Sequence, residues 1–511
     1  MKHKLILAGL LAGGAALTSM AQTDALRFNP DNYTRQSLTM PDGREVSYKA
    51  YEGIYYVTNV EDSVYQTLNI YVPDRLANIP RVPVLLRTYV GGYAASTAKS
   101  PSASDATGRA LSEGYVVCIP GSRGSNSTVE RDGSVIYTGI APNGLLDLKA
   151  AVRYLRYNDD AIPGSSELIF TDGTSAGGAM SSLLGATGNS KDYAESLRKM
   201  GAADVRDDVF AAICYCPITD LNHADMEYEW LYGCTNTGVR HLSEDQIVIS
   251  DELAAECPAY INLLGLTKPD GTLLTADNYK EYLKGFLIES AHRALQEGCE
   301  IPDSIGFKFY QDKMGPMGAG PGGPRPAGEH RPPFGDGRQA PSFGPGNAPR
   351  FNKTSDFVTD LDLDKYLAYV ASVTPLKTPP AFDQMGVLIE TPSPENKVFG
   401  NKNGDAANFT DFSLRHRLHD SKAKLSADMT RRVALMNPMN YIGNGSAKVA
   451  PNWYIRHGAK DRDTSFLVPI NLATKLMNAG ENVDFALPWN RPHSGDYNLD
   501  DLFRWIASTI Q

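Results

Sequence analysis

Leu168-Ile169-Phe170-Thr171-Asp172-Gly173-Thr174-Ser175-Ala176-Gly177-Gly178 is an apolar run that closes in Gly-x-Ser-x-Gly. A small-residue stretch of helical character, Ala179 to Gly185, follows it. The pattern reads as strand, sharp turn and helix, with the Ser175 Oγ lifted at the turn as a candidate nucleophile. Gly173 and Gly177 suit the turn because neighbouring backbone passes too close to admit a Cβ. A helix starting near Ala176 aims its free N–H groups and positive dipole end at the same point. The motif arises by chance in long chains, so its meaning depends on what surrounds it.

On the N-terminal side, Ile54–Thr58 and Tyr65–Val72 flank Glu61-Asp62-Ser63 and predict an antiparallel hairpin. Val82 to Tyr89 predicts a buried strand that ends in Val90-Gly91-Gly92-Tyr93, and Tyr115 to Pro120 predicts another. Asn143 to Tyr157 places Leu145, Leu148, Val152 and Leu155 on one helical face. Beyond the serine, Val209 to Cys216 is again strand-like. This alternation predicts an α/β fold with a mostly parallel central sheet covered on both faces. A lone Gly-Gly is an ordinary turn. Its location just after a buried strand, relative to the Ser175 turn, makes Gly91 or Gly92 a candidate oxyanion donor beside the N–H of Ala176.

The 511 residues are too many for a single pair of packed layers. Regular alternation stops after Pro217 and resumes with Asn452–Gly458, followed by a helix over 464–478, a strand over 483–488 and a helix over 499–510. The expected organisation is a core over 22–217 and 441–511, interrupted by an inserted block over 218–440. Within that block, about half the residues near 314–350 are Gly or Pro, a composition unable to bury a core and expected to form a disordered loop. Lys2 and Lys4 precede the apolar run Leu5 to Leu17, and Ser19-Met20-Ala21 supplies small residues, so residues 1–21 read as an export signal cleaved before Gln22. The expected location is periplasmic or extracellular, with no membrane span. A net charge of −10 argues against nucleic acid and anionic membrane as partners. The six cysteines are too few for a disulfide scaffold; pairing among Cys234, Cys257 and Cys299 is left open, and Cys118 is expected in the core.

A serine nucleophile needs a base, and the base needs an orienting acid. The strand ending at His457 runs into Gly458-Ala459-Lys460-Asp461-Arg462-Asp463, and the last strand runs into Pro492-His493-Ser494-Gly495. Chain order and loop position make His493 the base candidate. Asp461 and Asp463 compete for the orienting role; the spare carboxylate either accepts from substrate hydroxyls or caps the next helix.

Several motifs, in order along the chain, resemble the bacterial tannases of the α/β-hydrolase fold. They are Gly173-Thr174-Ser175-Ala176-Gly177-Gly178, Tyr215-Cys216-Pro217-Ile218-Thr219-Asp220-Leu221 and Leu376-Lys377-Thr378-Pro379-Pro380-Ala381-Phe382-Asp383. Pro394-Glu395-Asn396-Lys397-Val398-Phe399-Gly400, His457 to Ser465 and Pro492-His493-Ser494-Gly495-Asp496 complete the set. The resemblance implies Ser175, Asp461 and His493 as the catalytic triad. It also implies that Lys377, Glu395 and Asp463 contact the hydroxyls of a galloyl ring held between Ile218 and Pro394, with Glu390 competing for the place of Glu395. The Gly/Pro-rich segment departs from the family pattern.

The function expected is therefore a secreted serine esterase acting on small galloyl esters and depsides, without metal or cofactor. A feruloyl-type esterase shares the machinery with another acyl pocket. A serine peptidase and a non-catalytic polyphenol- or glycan-binding protein are the remaining alternatives.

Overall fold

The computed structural model describes residues 25–310 and 357–510. The expected export signal and the Gly/Pro-rich stretch near 314–350 lie outside the described residues.

Nine strands form one sheet in the order β1-β2-β3-β5-β4-β8-β9-β12-β13. They are β1 (Thr34–Thr39), β2 (Glu45–Tyr55), β3 (Thr67–Pro73), β4 (Val84–Arg87), β5 (Val116–Pro120), β8 (Ile169–Thr174), β9 (Ala211–Tyr215), β12 (Asn452–Arg456) and β13 (Asn482–Ala486). The first three run antiparallel, and β3 meets β5 antiparallel. From β5 to β13 every pairing is parallel. The expected α/β class and mostly parallel sheet are both present. The expected hairpin is there too, with a longer first arm that starts at Glu45.

Side-chain alternation divides the core into two layers. Val84, Leu86, Val116, Cys118, Ile169, Ala212 and Ile455 face the helices 143–157, 176–186 and 467–478. Leu85, Val117, Phe170, Ile213 and Tyr454 face the helices 106–112 and 499–509. The period of two in the strands sends successive residues to opposite faces, so a continuous apolar run serves both layers. Burying each large side chain contributes about 1.5–3 kcal/mol. Packing is close enough that a Cβ on Gly185 would sit 2.7 Å from Trp453.

Parallel register levels the strand ends. Thr174 pairs with Tyr215, Tyr215 with Arg456, and Arg456 with Ala486. The loops leaving β8, β9, β12 and β13 therefore start from one row at one edge of the sheet, where a doubly covered parallel sheet places its sites.

Between β9 and β12 come helices 221–232, 244–264, 276–296, 363–373, 394–398, 411–418 and 427–435. Helix 244–264 opens on a Ser243/Gln246 capping box and stops at Gly265, whose φ is 60°. Two small antiparallel pairs were not foreseen: β6 (Thr128–Arg131) with β7 (Ser134–Tyr137), and β10 (Phe307–Phe309) with β11 (Val358–Leu361). All six cysteines are free, which closes the open question about Cys234, Cys257 and Cys299; Cys118 is in the core as expected.

Candidate active site

Ser175 occupies the turn between β8 and helix 176–186 with φ 62° and ψ −125°, a conformation that side-chain-bearing residues rarely adopt. The packing that enforces it is dense. A Cβ on Gly173 would meet the Gly177 carbonyl oxygen at 2.2 Å, one on Gly177 the Val90 carbonyl at 2.9 Å, and one on Gly178 the Tyr215 carbonyl at 2.6 Å. The Ser175 N–H donates to the Tyr215 carbonyl at 2.9 Å, which ties the turn to the next strand.

His493 follows β13, and Asp461 follows β12. The His493 Nδ1 lies 2.7 Å from Asp461 Oδ2 and 3.9 Å from Asp463 Oδ2. Asp461 is wholly buried, and its other oxygen accepts from the Asp463 N–H at 2.8 Å. Geometry thus separates the two carboxylates: Asp461 bonds the imidazole and Asp463 turns to the cavity. Burial alone would raise Asp461, but His457 and His493 outweigh it and hold its carboxyl down at about 2. For His493, burial pulls downward while the hydrogen bond and charge of Asp461 pull harder upward, so the imidazole is more basic than usual.

Ser175 and His493 open on a cavity of about 440 Å³. Gly92, Ile218, Lys377, Pro394, Glu395 and Asp463 line it as well. Gly91 does not reach it, which singles out Gly92 of the two glycines, and Ala176 is buried at the start of the helix. Glu395 is buried while Glu390 is exposed and outside the cavity. Burial raises the Glu395 carboxyl above its usual range, with Lys377 opposing and Asp463 adding to the shift. The Lys377 Nζ stands 3.9 Å from the centre of the Phe382 ring. One ammonium and two carboxylates thus converge on one small space.

Sequence reading overlooked several groups. Thr378, Ala381, Gln384 and Ser393 also line the cavity. The Cys216 Sγ, read above as part of a strand, lies 2.8 Å from the Tyr497 hydroxyl, and burial pushes its thiol well up. Tyr228 donates to the Arg462 carbonyl at 2.7 Å and Tyr232 to that of Asp461 at 3.1 Å, pinning the acid loop. Tyr93 donates to the Ile218 carbonyl at 2.7 Å. These tyrosines bond backbone more than a hundred residues away, a relation without a local signature. The place of Cys216, immediately after a strand end in the row that carries Ser175, was the one available clue.

Among the described residues, Cys216, Asp461 and His493 are the one set whose donor atoms lie close enough to hold a metal ion, all within 4.8 Å of one another. In the structure those atoms are already engaged in hydrogen bonds with each other and with Tyr497.

A serine at a strained turn after a central parallel strand, with acid and histidine loops on the same sheet edge, defines the α/β-hydrolase class. Residues 68–257 match the BD-FAE family model. The solved structure of a Fusobacterium nucleatum tannase is 35% identical, with a TM-score of 0.78 over 95% of this chain and 99% of that one. A Lactobacillus plantarum tannin acyl hydrolase is 34% identical with the same TM-score and coverage. The structure of a tannin acyl hydrolase in complex with ethyl gallate matches at 34% identity and a TM-score of 0.78, over 96% of this chain and 100% of that one. No curated protein sequence matches this chain. The chain belongs to the tannase family and is a carboxylic ester hydrolase.

Proposed function

We propose that this protein is an exported serine esterase that hydrolyses galloyl ester and depside bonds and releases gallate. One observation carries the reading: Lys377, Glu395 and Asp463 line the same cavity as Ser175 and His493, together with Ile218 and Pro394. Two carboxylates accept from phenolic O–H groups, and an ammonium donates to a phenol oxygen. Ile218 and Pro394 supply apolar walls for a flat ring. A galloyl group has eleven non-hydrogen atoms and fills roughly 200 Å³ at protein packing density, so the cavity holds it with room for part of the alcohol. The inserted block over 218–440 acts in this reading as the lid that brings Lys377 and Glu395 to the core.

The chemistry follows from the residues. His493 Nε2 takes the proton of Ser175 Oγ as the oxygen attacks the ester carbonyl, and Asp461 keeps the imidazole oriented and stabilises its charge. The N–H groups of Ala176 and Gly92 hold the oxyanion. Collapse breaks the ester C–O bond, and His493 delivers its proton to the leaving alcohol. Water, deprotonated by His493, then attacks the galloyl-serine and releases gallate. Acyl groups without the hydroxyls leave buried Glu395 and half-buried Lys377 and Asp463 without those partners and are disfavoured.

Export rests on the N-terminal pattern of two lysines, apolar run and small residues. Among the described residues, no helix is long and apolar enough to cross a membrane. The deciding experiment compares turnover of methyl gallate and methyl ferulate by wild type and by Ser175→Ala. Faster turnover of ferulate, or undiminished methyl gallate turnover in the variant, would sink the reading.

A further inference from the structure

Arg87, the last residue of β4, takes no part in the mechanism above and is 6% exposed. Its Nη1 donates to Asp172 Oδ2 at 2.5 Å and to Asp496 Oδ1 at 3.2 Å, and its Nη2 donates to Asp496 Oδ2 at 2.9 Å. Asp172 precedes Ser175 on β8, and Asp496 follows His493 in the next loop. One planar guanidinium therefore spans the strand that presents the serine and the loop that presents the histidine, in the fork geometry that carboxylates favour.

Two further features show how closely that loop is docked. A Cβ on Gly495 would lie 2.0 Å from Thr174 Oγ1, so the loop backbone rests directly on the residue before Ser175. Asp496 itself sits at φ 52°, a left-handed conformation that a side-chain-bearing residue keeps only when its surroundings hold it there. The bidentate bond to Arg87 is such a hold.

We propose that Arg87 is a positioning residue that clamps the His493 loop to the Ser175 strand and so sets the distance between nucleophile and base. It does not line the cavity that Ser175 and His493 open on. The inference rests on the reading of Ser175 and His493 given above. A base displaced by about 1 Å loses on the order of a hundredfold in rate while substrate binding is unaltered.

Charge balance separates the variants. Asp496→Asn leaves Arg87 and Asp172 as a matched pair, so the fold survives and the second arm of the clamp is weakened. Arg87→Ala strands two carboxylates of which one is fully buried, and stability suffers as well.

The test is the rate at which a fluorophosphonate labels Ser175, measured beside methyl gallate kinetics and thermal melting. Labelling reports the alignment of nucleophile and base and needs no galloyl recognition. Asp496→Asn is expected to label about tenfold more slowly, with kcat reduced to match and KM within about twofold of wild type. Arg87→Ala is expected to be slower still and to recover severalfold in methylguanidinium, which refills the site. A folded Asp496→Asn enzyme with wild-type labelling and kcat overturns the clamp. So does an Arg87→Ala enzyme that melts lower yet labels normally, or an Asp496→Asn defect that appears only in KM. Wild type that labels but leaves methyl gallate intact removes the galloyl reading and leaves the clamp judged on labelling. Wild type that does not label removes both.

Discussion

Asp463 Oδ2 stands 3.9 Å from His493 Nδ1, whereas Asp461 Oδ2 stands 2.7 Å from the same atom. The nearer carboxylate bonds the ring, and in the proposed reading the farther one, which lines the cavity, meets a substrate hydroxyl. Asp463→Asn is expected to lower kcat/KM for methyl gallate by about 10- to 100-fold, the size of a hydrogen bond to a charged acceptor. Phenyl acetate should lose much less. Equal losses on the two esters would assign the orienting role to Asp463.

In the proposed mechanism His493 must be neutral to take a proton, and its imidazole is more basic than usual. Burial works against that shift; the bond and charge of Asp461, with the charge of Asp463, prevail. The acidic limb of kcat/KM should therefore titrate above the ordinary value of 6.5. In Asp463→Asn the limb moves to lower pH, because an anion that favours the imidazolium is gone. A pH profile on methyl gallate for both proteins checks the direction.

His457 is wholly buried with neither ring nitrogen hydrogen-bonded, and burial pulls it down from 6.5 to about 4. Below the unfolded value the unfolded chain takes up a proton that the folded chain refuses. Stability therefore falls as pH drops from about 6.5 to about 4, by about 3 kcal/mol from this residue. Asp461 acts in the same direction over a lower window: its contribution is fully present above 3.8 and is lost only as pH falls toward about 2. Urea unfolding at a series of pH values should show the loss, and His457→Leu should flatten it between those limits.

Gly178 sits where β8, the Ser175 turn and β9 converge. Gly178→Ala places a methyl group 2.6 Å from the Tyr215 carbonyl oxygen. The backbone has to move, at a cost of about 1–3 kcal/mol. A lower Tm together with slower methyl gallate turnover is the expected result; an unchanged Tm would mean the turn is looser than its packing indicates.

The legible parts of the chain were those written in local pattern. Helix 143–157 follows its apolar spacing to the residue, and the strands around Ser175 follow their apolar runs. Strand β1, Thr-Arg-Gln-Ser-Leu-Thr, escaped because an edge strand with one large apolar residue carries no core-facing stripe; its partner β2 imposes the conformation. The hairpin β6–β7 was within reach, since Asp132-Gly133 has the sequence of a tight turn and adopts φ 52° and 70°. The pairing of β10 with β11 joins segments about fifty residues apart and has no local cue. At the site, the coming together of Ser175, Asp461 and His493 was legible from motif and order. Arg87 was not, because its partner Asp496 is 409 residues distant and only the folded sheet brings them together.

The level row of strand ends has a consequence for how this molecule changes over time. Ser175, Asp461 and His493 hang from that row, while Lys377 and Glu395 belong to the segment threaded between β9 and β12. In the proposed reading, hydrolysis draws on the loops of that row, while the choice of acid draws on Asp463 from the same row and on Lys377 and Glu395 from the inserted segment. Positions 377 and 395 take no part in the pairing of the sheet, so under the proposed reading an exchange there alters the acyl pocket and leaves the strand pairings that carry Ser175, Asp461 and His493 in place. Variation is cheap on one side of the cavity and costly on the other.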